Sequence, residues 1–104
     1  MSWLVLVLSG VLEAVWATAL GRSEGFSRIV PSIVFVVSVA LSMVGLGYAM
    51  RTIPVGTAYA VWVGIGASLT VAYGMATGAE AASVAKVLLV LGIVACVVGL
   101  KVVE

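Results

Sequence analysis

One acid stands alone in the apolar run from Trp3 to Leu20. Glu13 lies about ten residues into that run, with Leu12, Ala14 and Val15 beside it and no Lys, Arg or His to balance it. If the run crosses a bilayer, an ionised carboxylate at its centre costs on the order of 3 kcal/mol. The charge must then be neutralised, either by a proton or by a bound cation. Proton and cation compete for one group, and that competition is the chemistry of an exchanger. The alternative is a structural Glu bonded to another helix, but no basic residue lies near the middle of any apolar run to serve as its counter-ion.

Residues of the right type surround Glu13 at helical spacing. Gly10, Glu13 and Trp16 fall at i, i+3 and i+6, and Ala17 joins them at i+4 from Glu13. The small residues would admit a ligand or a second helix, and the Trp16 indole can donate a hydrogen bond or stack on a cation. Further along, Tyr59 and Trp62 share a face with Gly66 one turn beyond. They read either as a site or, for Tyr59 above all, as aromatics anchoring a helix end at the membrane interface. Trp3 and Tyr73 read as interface anchors or packing groups. Ser38 and Ser42 are four apart, so either could donate to a carboxylate or bond back to its own helix; spacing does not choose between them. Gly64 and Gly66 would serve as a hinge or as a close-packing point.

These residues need elements to hold them, and composition says which. Of 104 residues, 64% are hydrophobic and 9% charged, where a soluble domain carries roughly 25% charged residues. Lipid must be the solvent. A net charge of +1 with no basic stripe excludes nucleic acid as a partner. With no histidine and a single cysteine, Cys96, neither a disulfide nor a Cys/His metal site forms within one chain, and no cofactor is implied. No nucleophile–base pair points to an enzyme. The first run is expected to stay in the protein rather than be cleaved as a signal peptide, because no base precedes it and Glu13 interrupts it.

Turn residues and charges divide the chain into four spans, about 3–20, 29–50, 57–76 and 83–102. Each is near the ~20 residues that cross a bilayer. The expected fold is all-α, one four-helix transmembrane domain over 1–104. Pro31 sits in the first turn of the second span, where its missing N–H has no partner anyway. Short connections make neighbouring helices lie side by side. Four helices are too few to enclose an aqueous cavity, and Gly92, Ala95 and Gly99 form a small-residue stripe on the last span suited to close helix approach. The stripe reads either as packing within one bundle or as a dimer interface, and the dimer is favoured because that span carries no polar residue for an internal site. Arg51 and Lys101 would lie on one side of the membrane, and Arg22, Arg28 and Lys86 on the other. Two against three is almost no orienting instruction, so dual topology and an antiparallel homodimer are expected.

The run Gly10-x-x-Glu13-x-x-Trp16-Ala17, the segment Ser23-Glu24-Gly25-Phe26 and the signature Pro54-x-Gly56-Thr57-Ala58-Tyr59-Ala60-x-Trp62-x-Gly64-x-Gly66 together resemble the small multidrug resistance family over essentially the whole chain. The resemblance implies an antiparallel homodimer that exchanges protons for cations by alternating access. It implies that Glu13 binds proton and substrate, that Tyr59 and Trp62 line the site, and that the fourth helix holds the dimer. Trp16 with Ser42 resembles the guanidinium-exporter subtype of the family, whereas its broad multidrug exporters typically have glycine at the Trp16 position. Trp and Ser donors would orient Glu13 for a small planar cation with paired N–H groups. The chain departs from the family at Gly21-Arg22, where a lysine is common, and at Ala81, where proline often follows the loop glutamate.

The expectation is thus a proton-coupled exporter of guanidinium or small guanidinyl cations in a bacterial cytoplasmic membrane. Its binding residues would be Gly10, Glu13, Trp16, Ser42, Tyr59 and Trp62. The rival readings are a broad quaternary-ammonium exporter, one subunit of a heterodimer, and a small modulatory subunit of a larger membrane protein.

Overall fold

The computed structural model describes residues 1–103. Four α-helices follow one another: α1 (Ser2–Arg22), α2 (Ile29–Ala49), α3 (Val55–Thr77) and α4 (Val84–Val103). All four are long and apolar enough to cross a membrane. At ~1.5 Å per residue the shortest, of 20 residues, spans the ~30 Å hydrocarbon core. α1 runs past Leu20 to Arg22. Ser23 stops it: its hydroxyl donates to the Leu20 carbonyl at 2.7 Å and its N–H to the same oxygen at 3.2 Å. α3 starts directly after Pro54 and ends at Gly78, whose φ of 79° is left-handed and costs glycine little. Ser83 opens α4, its hydroxyl accepting the Lys86 N–H at 3.1 Å.

The helices form a slab with extents of 41 × 34 × 17 Å, its thickness less than two helix diameters of ~10 Å each. α1 is central and packs on both α2 and α3, while the close backbone approach of α4 is to α3 among the described residues. Three glycines set the close approaches. A Cβ on Gly45 would overlap the Ser9 hydroxyl, so α2 meets α1 there. A Cβ on Gly10 would sit 2.8 Å from Ile65 Cγ2, and one on Gly64 would sit 2.6 Å from Val97 Cγ2. α1 thus meets α3, and α3 meets α4, where a glycine lets a side chain of the neighbouring helix reach its backbone. The buried cluster is small: Leu6, Leu46, Ala49, Ile53, Ala58, Val61 and Trp62, with Trp3, Trp16 and Ile65 packed against it. Trp3 also lies 5.0 Å from Lys101 Nζ, which ties the start of α1 to the end of α4.

Candidate functional site

Glu13 projects from α1 against α3 at Gly66. A Cβ on Gly66 would overlap the Glu13 carboxylate, so this glycine makes the room the acid occupies. The carboxylate oxygen Oε1 is buried and has no hydrogen-bond partner among the described residues; the same holds for the Trp16 indole N–H. Two buried polar groups without partners, one acceptor and one donor, thus stand three residues apart on α1. Burying such groups unsatisfied costs about 1–3 kcal/mol each, and a bound molecule that carries both charge and donors removes the larger share.

A closed hydrogen-bond chain lies behind them. The Trp62 indole N–H donates to Ser42 Oγ at 3.0 Å, and the Ser42 hydroxyl donates to the Ser9 carbonyl at 2.8 Å. Ser42 is fully buried and Trp62 only 4% exposed. In an α-helix the carbonyl of residue 9 also accepts the N–H of residue 13. The chain therefore runs from α3 through α2 to the helical turn that bears Glu13. This changes the expected role of the donors: Ser42 and Trp16 do not hold the carboxylate. Ser42 spends its one proton on a backbone acceptor whose second lone pair was open, and the Trp16 indole makes no hydrogen bond among the described residues.

Five aromatic rings form a row that passes through Trp16, one turn from the acid on α1. Phe26 and Phe35 meet edge to face at 5.5 Å between centroids, and Phe35 meets Trp16 the same way at 5.9 Å. Trp16 lies 6.3 Å from Trp62, and Trp62 lies 5.9 Å from Tyr59. Tyr59 is 55% exposed, yet its ring rides on Trp62, so it belongs to the row as well as to the surface. Gly10 is spent on the approach of α3, not left open for a ligand. Gly64 and Gly66 are both contact points in an unbroken α3, the first for α4 and the second for Glu13. Phe35 went unnoticed in the sequence. Its signal was available, since Phe35, Ser38 and Ser42 fall at i, i+3 and i+7 on one face of α2. Ser38 is buried on that face but makes no side-chain hydrogen bond among the described residues.

The stripe on α4 is bare. Gly92, Ala95 and Gly99 are exposed, and a Cβ on either glycine would meet nothing within 4 Å among the described residues. The described residues hold no group of His, Cys, Asp and Glu that could bind a metal ion.

With this geometry in view, comparison with known proteins is decisive for the family. The model of the Small Multidrug Resistance protein family matches residues 1–99. The chain belongs to that family. Among its small multidrug resistance relatives are proteins named guanidinium exporter from Yersinia pseudotuberculosis serotype I and Salmonella typhimurium strain LT2, each 48% identical over 101 residues. The match covers 97% of this chain, and 97% and 96% of the two relatives. A guanidinium exporter from Citrobacter freundii is similar to the same degree, at 48%. Family membership and four helices able to span a bilayer make this a multi-pass membrane protein of a transporter family.

Proposed function

We propose that the chain exports guanidinium or small guanidinyl cations in exchange for protons, working in the bacterial cytoplasmic membrane. The observation that carries the reading is the buried Glu13 Oε1 without a hydrogen-bond partner among the described residues, one helical turn from the unpartnered Trp16 N–H, whose indole packs on Phe35 and Trp62. A guanidinium ion is planar, carries its charge at every physiological pH and presents paired N–H donors to a carboxylate. Its faces suit stacking on the indoles. The Trp62–Ser42–Ser9 chain fixes the turn under Glu13, so the acid meets the ion from a set position. A bulky aromatic cation would need those rings to part.

Proton and substrate exclude one another at Glu13, which couples their fluxes. The working unit is an antiparallel homodimer. A slab 17 Å thick cannot surround a substrate by itself, and the bare α4 stripe supplies the face for a second copy. Near-equal charge on the two sides of the membrane permits both orientations. Two Glu13 carboxylates then serve one site and titrate as a pair. Alternating access follows as the pair exchanges which side is open.

Currents on a solid-supported membrane carrying the purified protein test this directly. Guanidinium should give a large current, tetrapropylammonium and a bulky aromatic cation little. The reverse order would replace guanidinium with bulky quaternary cations as substrates. No current for any cation would point to a missing partner chain.

A further inference from the structure

The exchange scheme uses one face of α1 and leaves the other unexplained. On that second face a groove of about 550 Å³ runs between α2 and α3. Val11, Val15 and Ala14 of α1, Val34 of α2 and Leu69 of α3 make its walls, and Glu13 is not among them. No acidic residue lines it, and its one charged residue is Arg22, at the end of α1.

Arg22 is held in place. Its Nη2 donates to the Tyr73 hydroxyl at 3.1 Å, and the guanidinium carbon lies 5.6 Å from the centre of the Tyr73 ring. Tyr73 takes only one of the five N–H donors that an arginine carries. From Val11 to Arg22 the groove follows eleven residues of helix, roughly 16 Å at the α-helical rise, which is the depth of one leaflet of a ~30 Å hydrocarbon core. The groove therefore has the length of one acyl chain, apolar walls, and a single oriented cation at the level of the lipid headgroups.

We infer that this groove binds an anionic phospholipid, its acyl chain along α1 and its phosphate on Arg22. Positive charge with no balancing acid in the lining selects an anionic headgroup over a zwitterionic one. The guanidinium fork matches phosphate oxygens in a bidentate manner.

Native mass spectrometry of the purified protein, mixed with phosphatidylglycerol or with phosphatidylcholine of the same chains, tests the inference without reference to transport. Phosphatidylglycerol should be retained about fivefold better, the ratio expected for one well-placed arginine near the headgroups. Arg22→Gln should erase the preference, Arg22→Lys should keep part of it, and Tyr73→Phe should weaken it about twofold. Val15→Trp, which fills the groove, should lower retention of both lipids. Equal retention of the two lipids by the unaltered protein, or a preference that survives Arg22→Gln, would overturn the inference. So would efficient cross-linking in bilayers of Val15→Cys to its counterpart in a second copy, made in a Cys96→Ala background, because the groove would then be a protein interface.

Discussion

The junction of α1, α2 and α3 and the fourth helix are built from similar residues but to opposite ends. At the junction, Ser9, Ser42 and Trp62 are buried and hydrogen-bonded in series, and Gly10, Gly45 and Gly66 each press on a neighbour. α4 has no buried residue among those described, and its Gly92 and Gly99 press on nothing. A glycine is spent where backbones meet. On the α4 stripe no such contact is made among the described residues. The difference teaches that one subunit closes the hydrogen-bond chain behind Glu13 unaided, whereas its last helix leaves its small-residue stripe uncovered.

The largest expected effect comes from removing the acid. Glu13→Gln keeps the shape and hydrogen-bonding capacity but cannot exchange a proton, so guanidinium-driven proton movement in vesicles should vanish. Proton-driven uptake by that variant would break the proposed exchange outright. Next is the same small change made in both regions. Gly66→Ala puts a Cβ into the Glu13 carboxylate, and overpacking of this kind costs about 1–3 kcal/mol; transport should fall even where the protein still inserts. Gly92→Ala meets nothing among the described residues and should leave subunit stability unchanged or raise it by up to ~1 kcal/mol. Equal losses at the two positions, read from denaturation in detergent, would erase the contrast.

Bulk on the α4 stripe sharpens it further. Gly92→Leu with Gly99→Leu should shift the protein from dimer to monomer in analytical ultracentrifugation while its helix content holds. Acid is expected to weaken substrate binding. As pH falls, protons occupy Glu13 and the apparent KM for guanidinium rises, by at most about tenfold per pH unit for one competing proton; at high pH the dependence flattens. A KM that does not move with pH would separate proton from substrate. The smallest effect belongs to the supporting chain. Trp62→Phe keeps the ring but drops the bond to Ser42, for about 1 kcal/mol of stability, and double substitution with Ser42→Ala should cost less than the sum of the two.

Sequence spacing carried the outline of the site and not its wiring. Glu13, Trp16, Tyr59 and Trp62 were legible because an acid or an indole inside an apolar run is conspicuous. Ser42 and Ser38 were not separable, since a spacing of four says only that both face the same way. The hydrogen bond from Trp62 to Ser42 required knowing that α3 stands level with that turn of α2. Phe35 was hidden by its surroundings: in a span where every neighbour is apolar, one more apolar ring draws no notice.

By itself the sequence determined four apolar spans, their short connections, the lone acid near a span's middle and the residues that share a face with it. These follow from local rules, because helix length must match the bilayer and a 3.6-residue period sets which side chains stack. The tertiary structure alone decided which face of each helix meets another helix. In water that face would announce itself as the apolar one. In lipid, core-facing and lipid-facing residues are equally apolar, so the pattern falls silent. Azimuth and register are settled instead by where Gly10, Gly45, Gly64 and Gly66 let side chains of a neighbouring helix reach the backbone.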